Sequence, residues 1–391
     1  MRKKSEIRRT NAERSPLDSD FGFRISDFGF SSGWLVRRLR SWFVRHQRAL
    51  PWRRDRDPYR IWVSEVMLQQ TQAAAVIPYF ERFLRAFPTV TTLAAADEQE
   101  VLRHWEGLGY YRRARDLHRA AQQIVAQHNG QFPDDPAILS RLPGFGRYTC
   151  NAVLSQAFDR RLPIVEANSQ RVLSRLFGRG DDPRQPAARR WLWQAAEDIL
   201  PDQQVGAFNQ ALMELGALIC TPSAPRCRQC PLAARCVARQ LGLQETIPAR
   251  TAKPAVLHVQ EAAVVVRRGD EVLLVRRPLT GRWAGLWEFP HGPLVEGELP
   301  EAAASRLLHQ LTGLHAHLGS ELLTIRHSVT RYRITLTCFD AGFAGGEFQS
   351  DFYVEGRWLA LADLAAYPVS SPQRRLARFL LSPNRQRLLF T

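Results

Sequence analysis

Lysine is almost missing from this chain of 391 residues. Only Lys3, Lys4 and Lys253 occur, although Lys and Arg together number 54. Schiff-base catalysis needs an amine nucleophile, and the stretch between Lys4 and Lys253 offers none from a side chain. No apolar run approaches the ~20 residues that a helix needs to cross a bilayer, which excludes a membrane-spanning helix. Cysteine is sparse, six in all, and four of the six fall in one short segment. No secretory signal precedes them, so a disulfide framework is a weak reading. Strand-like alternation is absent from the first half. Acidic residues are also short, 38 against 54 basic ones, for a net charge of +16.

The basic excess is unevenly placed. From residue 255 onward 15 Arg face 13 acidic residues, a net of +2, whereas the preceding 254 residues carry a net of +14. Such a one-sided excess points to a polyanion, most simply nucleic acid. A solvated, Arg-rich surface is the alternative until a motif supports binding. Hydrophobic content of 45% and the length suit a globular chain of two domains.

What cysteine there is carries information. Cys220, Cys227, Cys230 and Cys236 are spaced C-x6-C-x2-C-x5-C. Thiolates are soft ligands for an iron–sulfur cluster or zinc. Structural zinc usually uses two tight C-x2-C knuckles set apart. Only one gap is tight here, which favours a single [4Fe–4S] cluster and leaves zinc as the alternative. Cys150 and Cys338 lie outside this loop and read as small buried residues.

Along the chain, residues 1–33 read as a disordered extension. A helical pattern begins at Trp34, with apolar recurrences in 34–48, 60–86, 97–106, 111–127, 136–141, 147–158, 169–177, 187–200 and 205–219. A connector follows at 241–257. The pattern then turns to β runs at Ala262–Val266, Val272–Val275 and Arg333–Phe339, with one helix at 300–311. The expected fold class is multidomain, an all-α half followed by an α+β half.

Residues 138–154 hold a turn of a particular kind. Leu142-Pro143-Gly144-Phe145-Gly146 leads straight into a helix. Glycines permit close backbone approach, and a helix N-terminus offers N–H groups to an anion. This resembles the helix-hairpin-helix element, which grips DNA phosphate without reading sequence.

Hairpin and cysteine loop together resemble the endonuclease III superfamily of base-excision glycosylases. Further segments are similar to one branch, the MutY-type adenine DNA glycosylases. They are residues 50–53 (LPWR), 62–72 (WVSEVMLQQTQ), 107–115 (GLGYYRRAR) and 208–216 (FNQALMELG). The resemblance covers about residues 34–385. It implies a helix-hairpin-helix glycosylase domain over 34–240, with a [4Fe–4S] cluster on Cys220, Cys227, Cys230 and Cys236, and a Nudix-like domain over 258–385 that recognises 8-oxoguanine. It also implies a monomer in the cytoplasm of a bacterial-type cell, off the membrane, acting on double-stranded DNA that carries a mispair.

The resemblance assigns roles residue by residue. Glu65 would protonate adenine, a poor leaving group until N7 is protonated, and would need apolar neighbours such as Trp62, Val66 and Met67 to hold its proton. Glu166 would stabilise the cationic sugar, with Asn168 holding it. The family has Asp-Gly-Asn here, and this chain has Glu166-Ala167-Asn168. Gln70 would wedge into the gap left by the flipped base, and Tyr110 would stack beside the opposite base. Leu142, Gly144 and Gly146 would meet phosphate. Tyr148 occupies the position of the lyase lysine of bifunctional relatives, which implies a monofunctional enzyme that leaves an abasic site.

The C-terminal half resembles a Nudix hydrolase through Gly285–Pro290, Gly292 and Glu298. The glutamates that hold Mg²⁺ in the functional box are replaced by Leu307, Gln310 and Leu311, so the fold is expected without the hydrolysis. The family often has Phe-Ser-His in its 8-oxoguanine loop. Here the stretch is Val329-Thr330-Arg331, where Thr330 and Arg331 keep donors. Three other readings stand beside the leading one: a catalytically impaired DNA-binding homologue, an endonuclease III-type pyrimidine glycosylase, and a Nudix nucleotide hydrolase.

Overall fold

A computed structural model describes residues 31–249 and 255–382. The expected extension lies outside the described residues up to position 30, as does part of the expected connector. The described residues form two compact units. One joins residues 31–49 to 150–249, and the other joins 50–149 to 255–382.

The first unit is helical. Helix α1 (Ser32–His46) starts two residues before the expected Trp34, because the Ser31 side chain accepts from Trp34 N and caps it. Leu35, Leu39, Trp42 and Phe43 recur at helical spacing on its buried face. In the same core lie Val172, Leu173 and Leu176 of α9 (Ala167–Leu176), Leu192 and Ala196 of α10 (Pro186–Asp198), and Phe208, Leu212 and Leu215 of α11 (Val205–Leu218). Cys220, Cys230 and Cys236 pack against this core from its edge. The short helix α12 (Val237–Gln240) follows the last of them.

In the second unit, residues 50–149 form α2 (Pro58–Leu68), α3 (Ala73–Ala86), α4 (Val90–Ala95), α5 (Glu98–Trp105), α6 (Arg112–His128) and α7 (Pro136–Leu139), with α8 (Arg147–Phe158) beginning at the end of this stretch. One expectation is corrected here. The pattern at 60–86 is not one helix but two, α2 and α3, broken at residues 69–72. Gln70 sits there with φ of 60°, a left-handed conformation that no helix continues through. The helix α4 was not expected, although Thr89 and Thr92 form a capping box at its start.

Residues 255–382 build a mixed sheet of strand order β3-β2-β1-β6-β5, with β4 paired to β1 and β7 to β2. The strands are β1 (Leu257–Arg268), β2 (Glu271–Arg276), β3 (Trp287–Glu288), β4 (His291–Pro293), β5 (His315–Val329), β6 (Tyr332–Gly345) and β7 (Glu355–Ala360). The pair β1 and β6 is parallel, while β5 and β6 form a long antiparallel hairpin closed by Thr330 and Arg331. Helix α13 (Pro300–Thr312) covers one face and α14 (Ser371–Leu381) the other. β1 alternates Ala262, Val264 and Val266 toward one core with Ala263 and Val265 toward the other, the pattern of a strand buried on both faces. Strands β5 and β7 and helix α14 were not expected from the sequence.

Candidate active site

Helix α2 carries the first acidic candidate. Asp57 caps it through Tyr59 N, with Pro58 at its first position. Glu65 lies inward and is 3% exposed. Its Oε2 accepts a hydrogen bond of 2.5 Å from the Tyr148 hydroxyl, on the first turn of α8. Next to Tyr148, Thr149 Oγ1 accepts from Gln69 Nε2 at 3.3 Å. Trp62, Val66 and Met67 are all buried on the same helix. Trp62 stacks on Phe145 of the hairpin turn at 5.1 Å between ring centroids. The helix that bears Glu65 and the turn that precedes Tyr148 are thus packed together through aromatic rings.

That turn holds Leu142, Gly144 and Gly146, the residues expected to meet phosphate. Gly144 and Gly146 are exposed and Leu142 is buried. Gly144 adopts φ of +76°, and a Cβ there would come 3.0 Å from the Asp116 side chain. Any approach to phosphate at Leu142 therefore falls to its backbone, since its side chain is committed to the core.

The second acidic candidate is placed by a helix cap. Glu166 is the N-cap of α9, in extended conformation. Its Oε1 accepts from Ser169 N at 2.8 Å, and its Oε2 from Asn168 N at 2.8 Å and Asn168 Nδ2 at 3.1 Å. Ser169 Oγ accepts in return from Glu166 N, closing a capping box. Three N–H donors and the positive end of the helix favour a negative charge at this carboxyl. The approach to Glu166 is tied down as well. Asn209 Nδ2 donates to Leu162 O at 2.9 Å, and Asn151 Nδ2 to Pro163 O at 2.8 Å.

Asn168 is oriented by a residue that sequence reasoning passed over. Arg171 Nη2 donates to Asn168 Oδ1 at 2.8 Å, which leaves the amide nitrogen for Glu166. The same guanidinium reaches Gly216 O at 2.8 Å and Cys220 O at 2.6 Å. Close approach of α11 makes this possible, because a Cβ on Gly216 would lie 2.5 Å from Asn168 Cβ.

The cysteine loop hangs from α9 through a second buried arginine. Arg175, 2% exposed, donates to Thr221 O at 2.7 Å, Pro222 O at 3.1 Å and Ile247 O at 2.8 Å. It also reaches Cys220 Sγ at 3.4 Å, and Cys236 Sγ donates to Arg175 O at 3.3 Å. Burial raises the thiol pKa of Cys227 and Cys236 and pushes that of Cys230 up to about 12, with negative charge on neighbouring cysteines adding to the effect. None of the four is in a disulfide. Among the described residues no group of three or more His, Cys, Asp or Glu is arranged to hold one metal ion.

Gln70 and Tyr110 are both exposed, on left-handed backbone. Thr330 and Arg331 close the β5–β6 hairpin. Arg331 is exposed, and the Thr330 hydroxyl donates to Val329 O at 2.8 Å, within the turn itself. Sequence reasoning also missed Glu214, 1% exposed on α11, which accepts from Arg48 N, Nε and Nη2 at 2.8–2.9 Å. In the C-terminal half Arg306 pairs with Glu298 through two bonds of 2.7 Å, and Leu307 and Leu308 are buried against the sheet.

Comparison with known proteins gives a consistent result. Residues 63–197 match the HhH-GPD superfamily base excision DNA repair protein family, and residues 262–378 match the NUDIX domain. The chain is 32% identical over 399 residues to adenine DNA glycosylase of Rattus norvegicus, covering 88% of this chain and 77% of that protein. It is 36% identical over 289 residues to adenine DNA glycosylase of Mycobacterium tuberculosis, covering 73% of this chain and 89% of the relative. Among solved structures, a thermostable thymine-DNA glycosylase aligns with a TM-score of 0.49 at 28% identity, over 54% of this chain and 97% of its own.

Proposed function

The chain belongs to the adenine DNA glycosylases, DNA N-glycosylases of base excision repair, and from that premise we propose that it excises adenine paired with 8-oxoguanine or guanine and leaves an abasic site without cutting the strand. The contact between Tyr148 and Glu65 carries this reading. A buried carboxyl bonded to a hydroxyl is equipped to hand over a proton in a place sheltered from water. Glu65 protonates the adenine, the bond to the sugar lengthens, and positive charge develops on the sugar. Glu166, whose helix cap favours a negative charge, takes the task of stabilising that charge, and Asn168 bonds to it. Two carboxyl groups in unlike surroundings take the two unlike tasks. Tyr148 stands where an amine would be needed, and a phenol forms no imine.

Gln70 and Tyr110 enter the duplex when the adenine leaves the stack, and Gly144 and Gly146 lie along phosphate. Cys220, Cys227, Cys230 and Cys236 fit a [4Fe–4S] cluster. Their thiols are close enough to raise one another's pKa, and a spacing with one tight gap suits a cluster better than the paired knuckles of structural zinc. Held by these four thiolates, a cluster would offset the negative charge that burial disfavours. Arg226 and Arg228 lie on the loop that the four cysteines would anchor.

Residues 34–240 serve as the glycosylase domain, 241–257 as the linker, and 258–385 as the domain that reads 8-oxoguanine, with Thr330 and Arg331 at its hairpin tip. The Glu298–Arg306 pair supports a retained Nudix loop, while Leu307 and Leu311 supply no oxygen for Mg²⁺. The enzyme works as a monomer on double-stranded DNA in the cytoplasm. No described helix is long and apolar enough to cross a membrane.

The test is a duplex with a single 8-oxoguanine:adenine pair, treated with alkali after incubation. Strand scission that requires alkali supports the proposal. Scission without alkali refutes the monofunctional assignment, and binding without base loss makes the chain a DNA-binding homologue.

A further inference from the structure

Two turns of the helical half hold strained backbone. Gln70 has φ of 60° and Tyr110 φ of 48°, and neither is glycine or asparagine. A non-glycine residue keeps such a conformation only where its surroundings fix it. One side chain touches both turns. Arg113 Nη1 donates to Val66 O at 2.8 Å, Met67 O at 3.1 Å and Gln69 O at 2.5 Å. Its Nη2 donates to Leu108 O and Gly109 O, both at 3.3 Å. The first two are carbonyls of the last turn of α2 and the third belongs to its C-cap, where a cation also meets the negative end of the helix. The last two belong to the turn that presents Tyr110. The guanidinium lies over the Trp105 ring at 5.5 Å and the Tyr110 ring at 5.4 Å. Burial lowers its pKa only to about 10, so it stays charged at neutral pH.

We propose that Arg113 is a positioning residue for base extrusion, locking the Gln69–Thr71 turn to the Leu108–Tyr110 turn so that Gln70 and Tyr110 enter the duplex as one rigid pair. The inference rests on the reading of those two side chains as the ones that enter DNA. Extrusion succeeds when the gap and the opposite base are filled together, since a base that leaves an unsupported stack returns to it. A flat guanidinium with a fixed fork of donors can span five carbonyls, and a lysine ammonium cannot.

A mutant cycle tests this. The variants are Arg113→Lys, Gln70→Ala with Tyr110→Ala, and all three changes together. Each is measured by single-turnover base excision at saturating enzyme, by the fluorescence of 2-aminopurine in place of the target adenine, and by thermal unfolding. Arg113→Lys is expected to slow excision about tenfold or more and to reduce the fluorescence rise that reports unstacking. In the background lacking Gln70 and Tyr110, the same change is expected to cost less than about twofold, because residues that act through one another are not additive. An equal loss in both backgrounds overturns the inference and makes Arg113 a purely structural residue. Full activity of the Gln70→Ala/Tyr110→Ala variant refutes the underlying reading and the inference with it. Arg113→Gln takes the place of Arg113→Lys if the latter does not fold. Failure of both to fold overturns the proposal in favour of a stability role.

Discussion

Tyr148 donates its hydroxyl to Glu65 Oε2 across 2.5 Å, linking two residues 83 positions apart on α8 and α2. The hydroxyl holds one carboxyl oxygen of the residue proposed as the acid. Tyr148→Phe removes that hold and leaves the acid in place, so a loss of about 10- to 100-fold in single-turnover rate is expected. Glu65→Gln keeps the shape but has no acidic proton, and excision is expected to fall to background. A Glu65→Gln variant with measurable turnover would move the acid elsewhere.

Reduction with borohydride during turnover should trap no covalent enzyme–DNA complex. The position after the hairpin is a phenol, and no lysine occurs between Lys4 and Lys253. A strong trapped band that survives Lys253→Ala would contradict this.

The parts of the site that were legible in the sequence are those built on local pattern. The run at 62–72 marked a helix with Glu65 on it, the hairpin turn stood out because two glycines flank one apolar residue just before a helix, and the cysteine spacing stood out because cysteine is rare. The break between α2 and α3 was not legible, since residues 69–72 contain neither glycine nor proline. It is held by Arg113, more than forty positions away. Arg113, Arg171 and Arg175 share this obscurity. Arg171 and Arg175 are buried and Arg113 half-buried, each among backbone carbonyls, and a sequence so rich in arginine gives no sign of which ones leave the surface. The strand β5 was hidden by register shifts between His315 and Leu323 that interrupt its alternation. Ser370, Ser371 and Pro372 do mark the start of α14, a signal available without the structure.

The C-terminal domain should lose stability above neutral pH. His291 is buried with Nδ1 3.1 Å from Glu261 and Nε2 3.1 Å from Glu288, and Arg277, Arg282 and Tyr353 complete the group. Burial alone would lower its pKa, but the two carboxylates outweigh it and raise it from 6.5 to about 9. A folded value above the unfolded one gives stability that is complete below 6.5 and lost as pH rises through about 9. Glu261 behaves oppositely. Burial opposes its ionisation, but His291 and Arg282 bring its pKa from 4.5 down to about 2, so its share is present above 4.5 and lost as pH falls through about 2. Hydrogen exchange at β1 should therefore quicken between about pH 6.5 and 9 beyond the intrinsic rate. His291→Gln should flatten that dependence, and an unchanged slope would sever it from this histidine.

Arg171→Gln should damage excision and the cysteine loop together. Its guanidinium joins Asn168 Oδ1 to the Cys220 carbonyl, so one side chain orients the Glu166 partner and anchors the first cysteine. A shorter amide cannot reach both. A rate lower by about tenfold, with a reduced iron-to-protein ratio, is expected. Full iron content and full rate in this variant would show that the link carries neither function.

Glu166→Asp is the sharper question, because the family pattern has aspartate there. Aspartate is also the commoner N-cap, and a longer carboxylate would ordinarily overshoot the first-turn N–H groups. Here the extended backbone at Glu166, with φ of −133° and ψ of 180°, lets the longer side chain fold back onto them. Both oxygens are engaged by Asn168 and Ser169 at ordinary hydrogen-bond lengths. The extra methylene is therefore absorbed at the cap, and the carboxylate is held rather than loose. Glu166→Gln preserves an acceptor for the cap but removes the charge proposed to stabilise the sugar cation, so excision should fall about 100-fold or more with little change in melting temperature. Glu166→Asp keeps both charge and cap, but draws the carboxylate back toward the helix by one methylene. A displacement of about 1 Å can cost about 100-fold in rate, so the Asp variant should be slower or at best equal on an 8-oxoguanine:adenine duplex. If glutamate were instead a defect in an aspartate site, restoring aspartate would speed the reaction strongly. A hundredfold gain in single-turnover rate would mean that the cap seen at Glu166 holds the carboxylate away from its work.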